Sequence, residues 1–209
     1  MLPPFSSLPL IEQWAADGPA TSGIILPDGC MDLVTDGETI VVAGADTRAR
    51  HFAGADNGCP MWGVRFHPGL LPGLLDIPAN LVTDQVVPLE DLTRTRVSPK
   101  DLHDIKHLMT VFPAGAVEPT SIKIADQLWR GISIEQVAQS ASWSPRQLRR
   151  LSMRWFGYGP KHLQRVLRVR RAEQLLGNGL RKSDVAAWCG YADSSHLWRD
   201  RRDLNTPAR

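Results

Sequence analysis

Eight arginines lie within residues 146–171 of the chain. They are Arg146, Arg149, Arg150, Arg154, Arg165, Arg168, Arg170 and Arg171. A guanidinium group is planar, always charged and rich in paired donors, so it suits phosphate oxygens and the O6 and N7 edge of guanine. This density of arginine predicts contact with a polyanion rather than a merely solvated surface.

Cysteine and histidine side chains could carry a second chemistry in the first half of the chain. Cys30 with His51 or His67 could form a nucleophile and its base, but no glycine-rich elbow or fixed spacing accompanies them. Cys30 and Cys59 could sense an oxidant or a soft metal. Neither has a basic run or a Cys-x-x-Cys partner, which favours buried structural cysteines. We therefore expect no enzymatic activity.

Two histidines four residues apart, His103 and His107, have the spacing of metal ligands on a helix. Their sequence is His-Asp-Ile-Lys-His rather than the His-Glu-x-x-His of zinc proteases, which favours a solvated helix face. No metal and no cofactor are therefore expected.

Arg65 and His67 alternate on one face of a predicted strand, inside a β-barrel or at its mouth. Arg65 either binds an anionic effector or pairs with Asp28 or Asp32, and the pairing is favoured. Together with Cys30, Arg65 and His67 are the predicted effector-binding residues.

The chain that must position these residues has an ordinary globular composition. Of its 209 residues, 43% are hydrophobic and 22% are charged, which excludes a disordered, collagen-like or coiled-coil protein. No apolar run approaches the roughly 20 residues that cross a membrane, so no membrane partner is expected. The N-terminal stretch lacks the basic segment of a signal peptide, which predicts a cytoplasmic protein.

The near-neutral net charge of +2 hides two halves of opposite charge. Residues 1–116 carry seven basic and 14 acidic side chains, and residues 117–209 carry 17 basic and eight acidic ones. The halves therefore have net charges of −7 and +9. Only the second half is expected to meet a polyanion.

The first half predicts a small antiparallel β-sandwich or barrel of the cupin-like kind. Runs of five or six residues are separated by turn pairs such as Asp36-Gly37, which is a strong signal for a tight hairpin. The predicted strands cover residues 21–26, 31–35, 38–43, 48–53 and 61–66. One helical turn at 70–75 and a helix over 98–112, with Ser98 as its N-cap, follow.

From residue 120 onward the pattern changes to helices with clear start signals. Ser133 with Gln136, and Ser144 with Gln147, form two capping boxes. Helices are predicted over residues 121–130, after Ser133, and over 145–156, 160–176, 183–189 and 194–203. The predicted fold class of the whole chain is therefore α+β.

A weak internal repeat divides these helices into two units. The copies are IEQVAQSASWSPRQLRR and KSDVAAWCGYADSSHLWR, and each pairs a Val-Ala helix with a turn and a capped helix. The Val-to-Leu spacing is 11 residues in the first copy and 12 in the second. This pattern predicts two helix-turn-helix units, whose second helices enter the major groove of DNA.

Several features of residues 120–207 fall in a specific order. They are the capped first recognition helix, the Gly-x-x-Pro entry to a long helix, its Arg-Ala-x-x-Leu-Leu end and the run Gly-Tyr-Ala-Asp-x-x-His-Leu. With these features in this order, the region resembles the DNA-binding domain of AraC/XylS-type transcription regulators, in which one long helix joins two helix-turn-helix units. On the stretches PDGCMDL, GADTRAR and GVRFHPG, the first half resembles a sensor domain found in some of these regulators.

The resemblance implies which residues meet DNA. They are Arg146, Gln147, Arg149 and Arg150 on the first recognition helix, Ser194, Ser195, His196 and Arg199 on the second, and Lys161 and Arg165, with Arg168, on the linker helix. A linker helix of about 25 Å would hold the two recognition helices near successive major grooves, about 34 Å apart.

The second unit departs from the family at position 201. An apolar core residue is usual there, but this chain has Arg201, and the segment before Thr206 is about two residues short. These departures predict a shortened or loosely packed second recognition helix.

Four tryptophans could stack on bases, as in proteins that bind single strands. They are Trp143, Trp155, Trp188 and Trp198. Their places at turns and at helix-packing positions favour core or boundary packing instead.

The predicted organisation has three parts: a β-rich sensor or dimerisation domain over 1–97, a connecting helix and linker over 98–119, and a DNA-binding domain over 120–209. We expect a sequence-specific regulator that binds double-stranded DNA, with a small-molecule effector and a homodimer left open as partners. The alternative is a small-molecule or metal-binding sensor with only non-specific affinity for DNA. A cupin-like enzyme is disfavoured because the first half lacks the His-x-His pairing of such sites.

Overall fold

The computed structural model describes residues 7–16, 23–52, 60–113 and 117–207. An antiparallel β region precedes a helical region, which confirms the predicted α+β class. The described strands are β1 (Ile11–Ala15), β2 (Gly23–Ile25), β3 (Met31–Thr35), β4 (Ile40–Ala43), β5 (Arg50–Phe52), β6 (Trp62–Phe66) and β7 (Val86–Pro88).

The strands form two antiparallel sheets. Strands β1, β6, β3, β4 and β7 form one sheet in that order, and β2 pairs with β5 in the other. The sequence did not predict β1 or β7, and both are edge strands of the larger sheet. β7 has three residues and ends in proline, which an edge strand tolerates because its outer N–H groups need no partner.

The turn between β3 and β4 forms as predicted. The Oδ1 atom of Asp36 accepts the backbone N–H groups of Glu38 and Thr39 at 3.0 Å each. Gly37 has a φ angle of +99°, which glycine adopts without steric cost. This hairpin sets the register of the two strands.

One face of the larger sheet packs in the core, and the other carries charged side chains among apolar ones. Leu33 pairs with Val42 and Val64 on the two neighbouring strands, and all three side chains are fully buried. One position along, Asp32 pairs with Arg65. Because side chains alternate along a strand, these two charged residues share the face opposite the core.

The helices account for most of the remaining chain. They are α1 (Leu71–Leu75), α2 (Leu89–Leu92), α3 (Ile105–Val111), α4 (Pro119–Trp129), α5 (Ile134–Ser140), α6 (Pro145–Phe156), α7 (Pro160–Gly177), α8 (Lys182–Trp188) and α9 (Ser194–Asn205), with short 3-10 helices at Ala79–Leu81 and Pro99–His103. The predictions for α1 and for α4 to α9 are confirmed. Within the described ranges, no helix combines the length and the apolar character needed to cross a membrane.

The prediction of a single helix over 98–112 is wrong, because the helical structure is interrupted at Asp104. The backbone of Asp104 is extended, and its Oδ1 accepts the N–H groups of Lys106 and His107 at 2.9 and 3.1 Å. An aspartate that caps a new helix in this way competes with continuation of the preceding one. A 3-10 helix therefore ends at His103, and α3 starts separately.

Both predicted capping boxes are present in the helical region. Ser133 N–H donates to Gln136 Oε1 at 3.2 Å, and Gln136 N–H donates back to Ser133 Oγ at 3.2 Å. Ser144 and Gln147 exchange the same two bonds at 2.9 and 3.3 Å. Such a cap stabilises a helix by about 1 kcal/mol, so these serines define where α5 and α6 begin.

The core of the larger sheet continues into the first helix-turn-helix unit. Phe156 of α6 and Leu163 of α7 belong to the same buried cluster as Leu33. The second unit has a separate cluster that includes Val185 of α8 and Leu197 of α9. The first unit therefore shares one continuous core with the sheet region, and α6 contacts that region through α1 and the 3-10 helix at Ala79–Leu81.

Candidate nucleic-acid interface and ligand cavity

Three arginines lie on the solvent side of α6. Arg146, Arg149 and Arg150 are exposed, whereas Leu148 and Ser152 of the same helix are fully buried. Spacings of three and four residues place the arginines on one side of the helix. This side of α6 therefore presents a cationic surface.

Gln147, also predicted to meet DNA, takes part in the capping box of α6. Its Oε1 accepts the Ser144 N–H group at 2.9 Å and the Ser144 hydroxyl at 2.9 Å. The side chain is exposed. Capping occupies its oxygen, so its amide N–H groups are the part that can reach a base.

The predicted contact residues of α9 lie in its first two turns. Ser195 and Arg199 are exposed, and Ser194 and His196 are half-buried. Asp193 caps the helix by accepting the His196 N–H group at 2.7 Å. The start of α9 therefore offers hydroxyl groups and one arginine to a partner.

The second recognition helix is neither shortened nor loosely packed, so that prediction is wrong. Both α6 and α9 have 12 residues. Arg201 Nε donates to Glu173 Oε1 of α7 at 2.6 Å, and its guanidinium lies 4.5 Å from the centroid of the Trp198 ring. The arginine replaces a hydrophobic contact with an ion pair and a cation–π contact.

The linker helix α7 holds α9 through charged side chains. Arg165 Nε donates to Asp200 at 2.7 Å and its Nη2 to Asp203 at 2.9 Å, while Arg168 Nη2 donates to Asp200 at 2.8 Å. Burial opposes ionisation of Asp200, but these bonds hold its pKa below the ordinary value. Of the residues predicted to meet DNA on the linker helix, Lys161 is exposed, whereas Arg165 and Arg168 would have to leave these partners.

Sequence reasoning missed Asp200 as a residue that orders the interface. It lies 32 and 35 positions from the two arginines that it binds. Contacts of that separation arise only when α9 folds back on α7. The available signal was an acidic residue on a helix otherwise rich in arginine.

Replacing Asp200 by asparagine is expected to loosen α9 from α7. The two guanidiniums lose a charged acceptor, and we expect the free energy of unfolding to fall by about 1 to 2 kcal/mol at neutral pH. The pKa of Asp200 in the folded protein lies below its value of 3.8 in the unfolded chain. The stabilisation by its carboxylate is therefore fully present above pH 3.8 and is lost as the pH falls through the pKa of the folded protein. Urea unfolding at neutral and acid pH measures this.

The more exposed Asp203 provides the control for this variant. Its side chain is 49% exposed and accepts a bond only from Arg165 among the two arginines. Asp203→Asn should therefore cost less than Asp200→Asn. An Asp200→Asn loss that stays the same at acid pH would contradict the role assigned to the ionised carboxylate.

A cavity of about 330 Å³ lies between the two sheets. Most of its wall is apolar and comes from Trp14, Ile25, Leu26, Val34, Val41, Ala43, Phe52, Met61 and Val86. Of the described residues, Cys30 and five charged ones also line it, namely Asp28, Asp32, Asp46, Arg50 and Arg65. An apolar cavity with a few convergent polar groups is the usual form of a small-molecule site.

Arg65 is paired with both aspartates, as the favoured prediction had it. Its Nη1 lies 3.1 Å from Asp28 Oδ2, and its Nε and Nη2 donate to the two oxygens of Asp32 at 3.1 and 3.0 Å. Trp14 Nε1 donates to Asp32 as well, at 3.2 Å. Burial raises the pKa of Asp32 although Arg65 opposes the shift. The donors of Arg65 are therefore already used by carboxylates.

Asp46 and Arg50 form a second pair at the cavity. Asp46 is only 7% exposed. Arg50 Nε lies 2.9 Å from Oδ1 and 3.0 Å from Oδ2, and its hydrogen bond goes to Oδ2. Oδ1 is buried and accepts no hydrogen bond from the described residues. Burial raises the pKa of Asp46 to about 6, against the effect of Arg50.

Of the other predicted effector residues, Cys30 lines the cavity and His67 does not. β6 ends one residue before His67, and the following turn brings the ring to α4, where Nε2 lies 3.3 Å from Asp126 Oδ1. Burial raises the pKa of the Cys30 thiol far above its ordinary value, so the thiolate form is disfavoured. Cys59 lies outside the described residues.

The cavity wall touches the helix that joins the two recognition helices. Arg170 of α7 donates from Nη1 to the Asp28 carbonyl oxygen at 3.0 Å, and the same nitrogen lies 3.2 Å from Cys30 Sγ. Gly29 packs on α7 so closely that a Cβ there would lie 3.3 Å from Leu163 Cδ1. A movement of this loop would therefore reach α7 directly.

The two histidines with metal-ligand spacing contact different side chains. His103 stacks on Trp62 with ring centroids 4.8 Å apart, and His107 Nε2 lies 3.3 Å from Asp101 Oδ1. In the part of the chain that the structure describes, no group of three or more His, Cys, Asp or Glu residues is arranged to hold a metal ion.

Three tryptophans of the helical region take core or boundary positions, as predicted, and the prediction is wrong for Trp198. Trp155 is buried, and its ring centroid lies 5.8 Å from that of the half-buried Trp143. Trp188 is half-buried against the cluster of the second unit. Trp198 is the most open, 38% exposed, between the cations of Lys182 and Arg201.

Comparison with known proteins gives two family matches and a structural similarity. Residues 137–204 match a family model described as a helix-turn-helix domain, and residues 10–88 match a domain of unknown function (DUF6597). No curated protein matches the chain.

The structural similarity is to ToxT from Vibrio cholerae. ToxT of strain O395 is 9% identical, with 95% of each chain covered and a TM-score of 0.49. ToxT of that strain bound to (E)-4-(8-methylnaphthalen-1-yl)but-3-enoic acid is 9% identical, with 95% of this chain and 97% of ToxT covered and a TM-score of 0.50. At this identity the likeness shows a shared fold alone.

Proposed function

Because residues 137–204 form an AraC-type helix-turn-helix domain, we propose that this protein is a sequence-specific transcription regulator. Its helices α6 and α9 read two successive major grooves of one double-stranded DNA. A small molecule bound in the cavity between the sheets controls that binding. The proposal contains no catalytic step.

The observation that carries the proposal is the attachment of both recognition helices to α7. Each recognition helix has 12 residues and a side-chain cap at its start, and α7 has 18 residues. At 1.5 Å per residue, α7 is about 27 Å long. Successive major grooves are about 34 Å apart along the duplex, so a linker of this length suits two adjacent grooves.

Sequence preference comes from the exposed side chains at the starts of the two helices. A guanidinium bound bidentately to guanine contributes about 1–3 kcal/mol of discrimination against other bases. Arg149 and Arg150 of α6 are exposed and can supply such contacts. Counted from the caps of the two helices, Arg199 of α9 corresponds to Arg150 and Ser195 to Arg146, and both side chains are exposed.

Affinity without sequence preference comes from the charge of the helical half. Residues 117–209 carry a net charge of +9, against −7 on residues 1–116. Lys161 is exposed beside the start of α7 and serves as a phosphate contact. We therefore expect binding that weakens steeply as the salt concentration rises.

Effector control follows from two bridges between the cavity region and the DNA-binding helices. One is the contact of Arg170 with Asp28 and Cys30. In the other, His162 Nε2 of α7 lies 3.1 Å from the Thr47 carbonyl oxygen, and Ala49 N–H donates to Leu204 of α9 at 2.6 Å. A ligand that shifts either loop changes how α7 and α9 are held, and the small molecule bound to ToxT supports ligand binding by this fold.

The test is fluorescence anisotropy of the full chain at about 150 mM salt, a physiological value at which specific and non-specific affinities separate. A labelled duplex from the upstream region of the gene is compared with a shuffled duplex of equal length. We expect a preference of about 10³-fold for the natural sequence. Equal affinity for both, falling steeply with salt, would overturn the proposal in favour of a sensor with non-specific DNA affinity.

A further inference from the structure

The cavity between the two sheets is small and largely apolar, and the described residues that line it include more carboxylates than guanidiniums. We infer that its ligand is a small organic cation, an amine whose ammonium group binds Asp46 and whose apolar body fills the cavity. This inference rests on the proposed function, because it names the chemical class of the effector.

The size and wall of the cavity define the body of the ligand. A volume of about 330 Å³ lies at the lower end of the range, about 300–1,000 Å³, that small-molecule sites occupy. The side chains of Val34, Val41, Trp14 and Phe52 line it. An aryl or alkyl group placed there leaves water for an apolar surface. The two aromatic rings also attract a nearby cation.

The charge pattern disfavours an anionic ligand. Arg65 already binds Asp28 and Asp32 through three of its nitrogens, at 3.0 to 3.1 Å. Arg50 is paired with Asp46. An incoming carboxylate would therefore have to displace a buried carboxylate and lie beside others of the same charge. With all five groups ionised, the described lining residues carry one negative charge in excess, which an ammonium group neutralises.

Asp46 is the point of attachment because one of its oxygens has capacity left. The residue is 7% exposed, and Oδ1 accepts no hydrogen bond from the described residues, although Arg50 Nε lies 2.9 Å away. A buried acceptor without a hydrogen bond is unfavourable, so a donor that reaches it is stabilised. An ammonium group supplies both the donor and the opposite charge, which makes such bonds strong.

The protonation of Asp46 gives the site a pH dependence. Burial, together with the nearby Asp84 and Asp28, raises the pKa of Asp46 to about 6 against the opposing effect of Arg50. An alkylammonium group, with a pKa near the value of about 10.4 for lysine, stays charged throughout this range. Affinity for the amine is therefore full above pH 6 and falls as the pH drops through about 6 and Asp46 becomes neutral.

The experiment measures binding of three probes with one apolar body to the full chain by isothermal titration calorimetry. They are naphthylmethylamine, naphthylmethanol and naphthoate, which are cationic, neutral and anionic at neutral pH. We expect the amine to bind at least about tenfold more tightly than the other two. Asp46→Asn should reduce its affinity to that of the alcohol. The control Asp76→Asn, at a side chain 95% exposed at the end of α1, should change nothing.

Three results would overturn the inference. They are naphthoate binding as tightly as the amine, an unchanged amine preference in Asp46→Asn, and no binding of any probe. Ala43→Leu narrows the cavity without changing charge, so it should weaken all probes alike. Operator binding is measured without ligand on the same preparations. If the operator preference is intact but the amine does not bind, only the proposed ligand class is wrong. If the amine binds but the protein shows no operator preference, the proposed regulatory function is wrong.

Discussion

Replacing Arg149 and Arg150 together by alanine is expected to lower affinity for the natural operator about 100-fold, with a much smaller effect on shuffled DNA. Each guanidinium can contribute about 1–3 kcal/mol of base discrimination, and the two contributions need not add fully. Both side chains are exposed on α6, so their removal leaves the buried side of that helix intact. Anisotropy titrations with both duplexes measure the loss.

The matched control removes two exposed arginines from the acidic half of the chain. Arg94 and Arg96 are exposed and lie outside the helical region. Arg94→Ala with Arg96→Ala changes the net charge equally, so it should leave the operator preference unchanged. If the α6 double variant weakened both duplexes by the same factor, its arginines would be phosphate contacts rather than base readers.

The second large effect is expected at Gly44, which follows β4. A Cβ at this position would overlap the carbonyl oxygen and carbon of Val82. Gly44 N–H donates to the Gln85 carbonyl at 2.9 Å, and Asp84 N–H to the Ala45 carbonyl at 3.3 Å, so the two segments are bonded together. Gly44→Ala must force them apart, and we expect a loss of about 3 kcal/mol or more in the free energy of unfolding.

Gly177 is the matched control for this substitution. It ends α7, and a Cβ there would meet nothing within 4 Å. Because alanine favours a helix over glycine by up to about 1 kcal/mol, Gly177→Ala should leave stability unchanged or raise it. Urea unfolding followed by tryptophan fluorescence measures both variants. A Gly44→Ala protein as stable as the wild type would show that the segments separate without cost.

Local signals account for what sequence analysis predicted correctly in the fold. The boxes at Ser133 and Ser144 each bond groups three residues apart, so neighbouring residues are enough to start α5 and α6. The Asp36-Gly37 turn is equally local. Asp104 is the exception. The helical periodicity continues through this residue, but its carboxylate caps a new helix and so ends the preceding one, and periodicity alone does not predict this.

The candidate site was predicted less completely, because its parts meet across long separations. The exposure of Arg149 and Arg150 followed from helix spacing. The sequence showed that Arg201 replaces the apolar residue usual at this position. It did not show that Arg201 forms an ion pair, because the partner Glu173 is 28 residues away on α7. Likewise Asp46 carries no local sign that burial will leave one of its oxygens without a hydrogen bond.

The sequence by itself determined the two-part α+β organisation, the capped recognition helices and the opposite charges of the two halves. These depend on composition and on interactions within a few residues, which a linear pattern records. Only the tertiary structure decided that Arg165 and Arg168 bind Asp200, that a cavity with an excess of carboxylates lies between the sheets, and that Arg170 joins its wall to α7. Each of these needs residues from distant segments to approach within about 3 Å, and that follows only from packing of the whole chain.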